Sequence, residues 1–356
     1  MARLLITALR MKEHDITIAS RLRSWDGEGN ETRQQRIRLR GQSLARRYVE
    51  RHKRHPPDLW FTYHLYHKAP DWIGPAVADA FGIPYIVAEA SYAPKQLGGP
   101  WAQGHQSVSA ALVRVDCAIA LSPNDIECVR PALRRPGLLT TMAPFIDTDG
   151  PRRAAAGRNQ HRMEIAKNLG IDPNIPWLVT VAMMRDGDKL DSYRILGQLM
   201  RRLADSEWTL IVVGDGPARK NVEAMLGASA RVRYLGIQSP AQVYQLDAAA
   251  DLFCWPAINE AYGMAVLEAQ AAGTPVVAGF GPGIAQIVED GKTGILGPAA
   301  DADALAGTIR TLLNAPDRRA AMRDAALKKT ATMHDISKAA ERLDDIIRDT
   351  LIEAKR

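Results

Sequence analysis

The stretch 208–236, "WTLIVVGDGPARKNVEAMLGASARVRYLG", contains an apolar run, a Gly-Pro turn, an amphipathic helical pattern and a second apolar run. This order predicts a strand, a crossover helix and a parallel strand. Similar strand-like runs lie at 177–184, 251–256 and 274–279. Short apolar runs separated by helical patterns are typical of a parallel sheet that is covered on both faces. We therefore predict a Rossmann-like, doubly wound α/β domain over 173–335.

The first 148 residues repeat this alternation less clearly and predict a second Rossmann-like domain over 1–148. Its strand candidates are 14–20, 58–66, 84–91 and 115–122. Residues 149–172 are polar, basic and nonperiodic, so we predict a linker there, and we predict a separate C-terminal helix over 336–356. The expected fold class is α/β, with two Rossmann-like doubly wound domains.

The start of the chain is unusual for such a domain. A helical pattern, "ARLLITALRM" (2–11), comes immediately before the strand predicted at 14–20. A βαβ unit needs about 30 residues or more, and the first strand of a Rossmann-like sheet is central. We therefore expect the N-terminal domain to be incomplete at its start, with its first strand absent, or Met1 not to be the biological start.

The composition narrows the class of protein. The chain has 356 residues, of which 46% are hydrophobic and 24% charged, as in folded globular proteins and unlike disordered ones. It has no apolar run of about 18 residues and no signal-peptide cleavage pattern. Its cysteines form no C-x-x-C pair, which excludes a disulfide framework and a cysteine-type zinc site; they are Cys117, Cys128 and Cys254. These features predict a cytoplasmic protein.

Most of the excess positive charge lies in residues 33–54, where nine Lys and Arg residues accompany one acid, Glu50. Apolar side chains recur there at helical spacing, which predicts an amphipathic helix with a basic face. One interpretation is peripheral contact with an anionic membrane, at its inner face, or with an acidic acceptor. The other is an ordinary solvated face. We expect no nucleic-acid partner, because no base-reading motif accompanies the charge.

The chemistry is concentrated in 255–297, "WPAINEAYGMAVLEAQAAGTPVVAGFGPGIAQIVEDGKTGILG". Glu260 falls in a loop and Glu268 falls inside a helix that opens near Gly263. The first amides of that helix, at Gly263 and Met264, suit a phosphate. The two carboxylates can accept hydrogen bonds from hydroxyls on either side, as in a sugar and a ribose joined through phosphates. The alternative is a glutamate favoured by the helix dipole and a solvated one.

This stretch resembles the E-x7-E region of retaining glycosyltransferases of the two-domain GT-B class, specifically glycosyltransferase family 4. The resemblance is clearest in "NEAYGMAVLEAQAAGTPVVA" (259–278) and "IVEDGKTGIL" (287–296), and it extends more weakly back to about residue 177. It implies retaining transfer of a hexosyl group from a UDP- or GDP-type nucleotide sugar to a glycan or lipid-linked acceptor, without a cofactor. It also implies that Glu268 binds the ribose and Glu260 the sugar hydroxyls, with Tyr262, Gly263 and Met264 near the diphosphate.

Further donor-site residues follow from the same resemblance. Arg185 and Lys189 are similar to the family's Arg…Lys pair, although fewer residues separate them here, and would stabilise the departing diphosphate. The intervening Asp186-Gly187-Asp188 is interpreted as loop acids, so no metal site is expected. The nucleotide is expected near a strand-to-helix turn and a strand-end backbone, at Gly214, Gly236 and Ile237.

The acceptor side carries a weaker signal. Family members often have a histidine at the end of a later strand, whereas here that strand ends in Glu89-Ala90-Ser91. Glu89, His64 and His67 are therefore only strand-end candidates. Two other functions stay open: a nucleotide-sugar 2-epimerase of the same architecture, and a non-catalytic nucleotide-binding relic.

Overall fold

The computed structural model describes residues 1–227 and 229–355. They form two compact units. The first unit consists of Met1–Ala143 together with Ser337–Arg356, and the second unit consists of Pro144–Ile336. The predicted C-terminal helix therefore belongs to the first unit, although it follows the second in sequence.

The first unit contains a four-stranded parallel sheet whose strands follow chain order, β1-β2-β3-β4. Its elements are α1 (Ala2–Arg10), α2 (Glu31–His52), β1 (Trp60–Leu65), α3 (Gly74–Phe81), β2 (Tyr85–Ala90), α4 (Ala102–Arg114), β3 (Cys117–Ala120), α5 (Pro123–Val129) and β4 (Leu139–Thr141). Three predicted strands are confirmed as β1, β2 and β3. The order of these four strands does not reverse, so this sheet lacks the switch point of a doubly wound sheet.

The strand predicted at 14–20 is wrong. These residues lie outside every strand that the structure describes. Their alternating apolar residues are not buried together, since Ile16 is partly buried and the Ile18 side chain is 63% exposed. The helix predicted before them is confirmed as α1, which buries Leu5, Ala8 and Leu9. Whether a strand precedes this chain stays a prediction.

The second unit contains a six-stranded parallel sheet in the order β10-β9-β8-β5-β6-β7. Its elements are α6 (Asp149–Ala156), α7 (Arg158–Leu169), β5 (Trp177–Val181), α8 (Asp188–Arg202), β6 (Thr209–Val213), α9 (Arg219–Leu226), β7 (Val232–Gly236), α10 (Pro240–Ala249), β8 (Leu252–Trp255), α11 (Met264–Ala271), β9 (Val276–Gly279), α12 (Pro282–Ile287), β10 (Gly294–Gly297), α13 (Ala302–Leu313) and α14 (Pro316–Lys329). A π-helical turn at Thr330–His334 leads into α15 (Ile336–Glu353), which returns the chain to the first unit.

The order of this second sheet reverses at β5, which pairs with β6 on one side and β8 on the other. All described strand pairs are parallel, and every residue of β6, β8 and β9 is buried. Such burial explains why these strands show as continuous apolar runs in the sequence. In open α/β sheets, ligands bind beyond the carboxyl ends of the strands where the order reverses. The loops after β5 and β8 are therefore the place to look for a site.

The segment 149–172, predicted as a linker, instead forms α6 and α7 of the second unit. Arg158 Nη1 donates to the carbonyls of Ala248 and Ala250 at 2.6 and 2.7 Å. Arg162 Nη1 lies 3.0 Å from Asp251 Oδ2. These cations satisfy carbonyls at the end of α10, where the helix dipole favours positive charge. Because inward-facing arginines replace an apolar stripe, the segment resembles a solvated linker in sequence.

Among the helices of the described residues, none is both long enough and apolar enough to cross a membrane.

Candidate functional site

Lys189 and Glu260 meet at the switch point of the second sheet. Lys189 lies in the first turn of α8, just after the β5 loop, and its ammonium forms an ion pair with Glu260 Oε2 in the β8 loop. Trp255 Nε1 donates to the same carboxylate oxygen at 3.2 Å, and the ammonium lies 5.4 Å from the centre of the Trp255 ring. The dipole at a helix start disfavours a cation. The geometry therefore places this lysine where a nearby anion, from the protein or a ligand, stabilises it.

The loop after β8 is held in an unusual backbone conformation. Ala257 and Asn259 both adopt positive φ angles, of 57° and 47°. Asn259 Nδ2 donates to Asp188 Oδ1 at 2.9 Å, and the Ile258 amide donates to Ser192 Oγ at 3.0 Å. These bonds fasten the loop to the start of α8. Strained non-glycine residues persist where surrounding contacts hold them, and they concentrate at functional sites.

The acids of the Asp186-Gly187-Asp188 sequence have different surroundings. Both aspartates are exposed, and Asp188 accepts the hydrogen bond from Asn259. Within residues 1–227 and 229–355, no group of three or more His, Cys, Asp or Glu side chains is arranged to hold a metal ion.

Gly263 ends this loop and caps α11 with a φ of 73°. A Cβ atom there would lie 2.4 Å from Ile284 Cδ1. On the facing helix, a Cβ atom at Gly283 would lie 2.0 Å from the Ala261 carbonyl oxygen. The backbone of the loop therefore packs directly against the backbone of α12. Met264 is the first residue of α11, and the amides of a first helical turn have no partner within the helix, as the predicted phosphate contact requires.

Glu268 lies on α11 beyond the first turn and is partly buried. Its carboxylate makes no hydrogen bond or ion pair with any residue that the structure describes. Burial raises its pKa to about 7. A shielded carboxyl group without a partner has unused capacity to accept hydrogen bonds, which is what a ribose diol needs. The prediction that Glu260 and Glu268 bind one ligand between them stays a prediction.

Asp247 on α10 is a feature that the sequence analysis missed. It is fully buried, and neither of its carboxylate oxygens has a hydrogen-bond partner among the described residues. Burial first, and then the charge of Glu268, hold its pKa well above the ordinary range of an aspartate. Asp247 therefore lies near Glu268, and its surroundings disfavour the charged form of its carboxyl group. The only sequence signal was an acid within the small-residue stretch "QLDAAADLF" (245–253).

Two glycines bring the loops after β5 and β6 together. A Cβ atom at Gly214 would lie 2.0 Å from the Ala182 carbonyl oxygen, and one at Gly216 would lie 2.3 Å from that of Met184. The Gly214 amide donates to the Gly236 carbonyl at 2.8 Å, which brings the predicted turn beside the predicted base-binding backbone. The next residue, Ile237, is 82% exposed and presents an apolar side chain to solvent.

Arg185 and Tyr262 are two further residues that the sequence predicts for the donor site. Arg185 is exposed and has no ion pair or hydrogen bond within the described part of the chain, so the structure does not bring it to Lys189 or Glu260. Tyr262 is partly buried beside Gly263.

In the first unit, the ends of β1 and β2 carry a second set of polar side chains. His64 and Glu89 both have positive φ angles, of 66° and 59°, and His64 Nδ1 lies 3.3 Å from Glu89 Oε1. Burial, followed by Glu89, raises the pKa of Tyr63, and burial raises that of Asp125. His67 instead packs edge-on against Trp101, with ring centroids 5.8 Å apart. The pair His64–Glu89 is therefore the stronger candidate at this sheet edge.

Comparison with known proteins agrees with this architecture. Residues 189–329 match the family model for glycosyl transferases group 1. The D-inositol 3-phosphate glycosyltransferase of Rhodococcus jostii (strain RHA1) is 28% identical over 294 residues, which are 76% of this chain and 62% of that protein. The matched region spans 50% to 62% of the length of the first three curated relatives.

Two solved structures share the fold over most of their length. Anabaena Alr3699/HepE, in complex with UDP and glucose, has a TM-score of 0.66 at 19% identity, over 86% of this chain and 81% of that one. WaaG, a glycosyltransferase involved in lipopolysaccharide biosynthesis, has a TM-score of 0.66 at 20% identity, over 97% of this chain and 94% of that one. The chain therefore has the two-sheet fold of GT-B glycosyltransferases, and its residues 189–329 match the glycosyl transferases group 1 family.

Proposed function

We propose that this protein is a retaining glycosyltransferase of family 4 that moves a hexosyl group from a UDP- or GDP-type nucleotide sugar. The observation that carries the proposal is the Lys189–Glu260 pair, held by a strained loop at the switch point of the second sheet. It lies in the segment that matches the glycosyl transferases group 1 model. The second unit then holds the donor and the first unit the acceptor.

Each residue of the donor site has a role in this scheme. Glu268 accepts hydrogen bonds from the ribose hydroxyls, and Glu260 accepts them from the sugar. When the diphosphate enters, Lys189 donates to a phosphate oxygen while it remains beside Glu260. The first amides of α11 and the exposed cation of Arg185 add to this charge stabilisation. These groups stabilise the negative charge that develops on the leaving diphosphate without a metal ion.

Retention is proposed to follow from attack on the face that the leaving group departs from. No carboxylate is assigned as a nucleophile, because Glu260 is occupied by Lys189 and Trp255. The scheme is tested by NMR during slow donor hydrolysis. Retention predicts that the released hexose appears first with the anomeric configuration of the donor, whereas the opposite anomer would refute it.

The acceptor is proposed to be a glycan or a lipid-linked molecule, bound by the first unit in the cytoplasm. The His64–Glu89 pair supports this assignment, since a histidine held by a carboxylate suits a reacting or positioned hydroxyl. The basic helix α2 is proposed to contact the inner face of an anionic membrane. WaaG, which shares the fold, is described as acting in lipopolysaccharide biosynthesis.

The donor site is tested by calorimetric titration of the whole chain with UDP and with GDP. We expect one nucleotide to bind, and Glu268→Ala to weaken its binding by at least about tenfold, because the hydrogen bonds of the ribose to a carboxylate are lost. Glu207→Ala, at an exposed glutamate of the same unit, is the matched control and should leave binding unchanged. Binding of neither nucleotide by a folded chain would refute the proposal and favour a non-catalytic relic.

A further inference from the structure

The first unit contains a groove of about 450 Å³ that shares no residue with the donor site or with the His64–Glu89 pair. We call it the arginine groove; it is lined by Ser20, Arg21, Leu22, Arg23, Arg36, Ile37, Arg40 and Leu44. One wall is the irregular segment before α2, and the other is the first half of α2 itself. Four guanidinium groups therefore line a space whose remaining surface is mostly aliphatic.

Local contacts fix both walls. Leu22 packs against the core cluster formed by Ala45, Ile73 and Val77. The close approach requires Gly41, where a Cβ atom would lie 2.4 Å from Trp72 Cβ and 3.4 Å from Leu22 Cδ2. The groove is therefore formed by packed side chains of the fold and is not a gap beside a loosely held segment.

A second anchor lies at the start of α2. The buried carboxylate of Asp26 accepts hydrogen bonds from Gln34 Nε2 and from the Asn30 amide, both at 2.9 Å. Asn30 in turn caps the helix by accepting from the Arg33 amide at 2.9 Å. Asp26 thus holds the backbone at the start of α2.

The four arginines of the groove have no counter-charge in the described part of the chain. Arg21, Arg23, Arg36 and Arg40 form no ion pair and no hydrogen bond there. Elsewhere among the described residues, some arginines pair with carboxylates, such as Arg158, Arg162 and Arg219, whereas the exposed Arg185 does not. Arg36 and Arg40 lie one turn apart on the same face of α2, so their charges converge on the groove. Converging guanidinium groups without a carboxylate favour a bound anion.

We propose that the arginine groove binds the phosphate group of a ligand whose adjoining apolar part lies on Leu22, Ile37 and Leu44. Arginine forks match phosphate oxygens in bidentate geometry. Ser20 Oγ accepts a hydrogen bond from the Leu22 amide at 3.0 Å. The hydroxyl proton of Ser20 is therefore still available to donate to a phosphate oxygen. The aliphatic floor of the groove, formed by Leu22, Ile37 and Leu44, would favour this ligand over inorganic phosphate. This inference concerns a different surface from the donor site and does not depend on glycosyl transfer.

The binding is tested by calorimetry on the full chain with butyl phosphate, inorganic phosphate and butanol at constant ionic strength. Butyl phosphate should bind at least about fivefold more tightly than inorganic phosphate, since each buried methylene group adds to affinity. Butanol alone should not bind measurably. Equal binding of both phosphates would overturn the role of the aliphatic floor.

Two pairs of substitutions on α2 distinguish a specific phosphate site from nonspecific attraction to a basic helix face. Arg36→Gln with Arg40→Gln removes two charges that line the groove, and Arg46→Gln with Arg47→Gln removes two charges that do not line it; all four side chains are exposed. The groove pair should weaken butyl phosphate binding at least about tenfold, and the control pair less than about twofold. Arg21→Gln, which lies outside any helix, provides the same test without altering α2. Equal losses in both pairs would overturn the proposal and identify a solvated basic face.

The source of the phosphate is distinguished with vesicles of phosphatidylcholine, with and without phosphatidic acid. Sedimentation that needs phosphatidic acid and is lost in the groove pair alone supports a lipid headgroup. Groove-dependent butyl phosphate binding without such sedimentation supports a soluble phosphorylated molecule. An RNA oligonucleotide that binds more tightly than butyl phosphate, and equally in both variant pairs, would overturn the assignment.

Discussion

Replacement of Glu268 by glutamine should stabilise the ligand-free protein at alkaline pH while it weakens nucleotide binding. Burial raises the pKa of Glu268 to about 7, above its ordinary value of 4.5. Between these two values the folded chain keeps the proton and the unfolded chain releases it. The free energy of unfolding of the natural chain therefore falls as pH rises through this window, and the loss is complete above about pH 7. Glutamine has the shape of the protonated acid, and because it does not titrate it adds no pH dependence to the free energy of unfolding.

The magnitude follows from the two pKa values. Full ionisation of Glu268 in the folded chain costs about 3 kcal/mol, at 1.36 kcal/mol for each tenfold change in proton affinity. At pH 5 the cost is below about 1 kcal/mol, because most of the folded chain is then protonated at this position. The advantage of Glu268→Gln over the natural chain should therefore grow by roughly 2–3 kcal/mol between pH 5 and pH 8.

The assay is urea unfolding at pH 5, 6, 7 and 8, followed by tryptophan fluorescence and far-UV circular dichroism. Coincident transitions by the two probes establish that the comparison of free energies is valid. Glu207→Gln, at an exposed position of the same unit, is the control and should show no pH-dependent gain. An advantage for Glu268→Gln that stays constant from pH 5 to pH 8 would show that Glu268 does not hold a proton in the folded chain and would refute the raised pKa.

Three further substitutions test the site. Lys189→Met should weaken nucleotide binding at least about tenfold in calorimetry, because a charge-assisted bond to the diphosphate is lost, whereas the exposed Lys220→Met should not change it. Gly263→Ala should destabilise the chain by about 1–3 kcal/mol in urea unfolding, owing to its positive φ and the 2.4 Å contact of a Cβ atom. Gly307→Ala, within α13 and with open space around a Cβ atom, should instead stabilise it by about 1 kcal/mol. His64→Asn should lower sugar transfer at least about tenfold without changing UDP or GDP affinity; a parallel fall in affinity would contradict an acceptor-side role.

The part of the fold that depends on local patterning was predictable. Strands buried on both faces show as apolar runs, so β5, β6, β8 and β9 were visible in the sequence. The segment 14–20 has an equally regular alternation, yet it forms no strand in the described chain. A strand needs a neighbouring backbone to pair with, and alternation alone does not supply one.

The candidate site also has a part that the sequence predicts and a part that depends on the tertiary structure. Gly263 and the two glutamates lie within nine residues, and their spacing along a loop and a helix could be derived from the sequence alone. The pairing of Glu260 with Lys189, 71 residues earlier, could be expected only in outline, from two strand ends at one sheet edge. The buried Asp247 could not be predicted, since its neighbours in space come from other helices.

The sequence by itself determined the alternating α/β class, the apolar strands of the second unit and the short motif around Glu268, because each depends on residues close together in the chain. Only the tertiary structure decided that 149–172 packs as two helices, that α15 returns to the first unit, and that four arginines line one groove. The physical reason is that burial and charge pairing are properties of neighbours in space. The same arginine can satisfy helix carbonyls, as Arg158 does, or face an open groove, as Arg36 does, and only the packing around each distinguishes them.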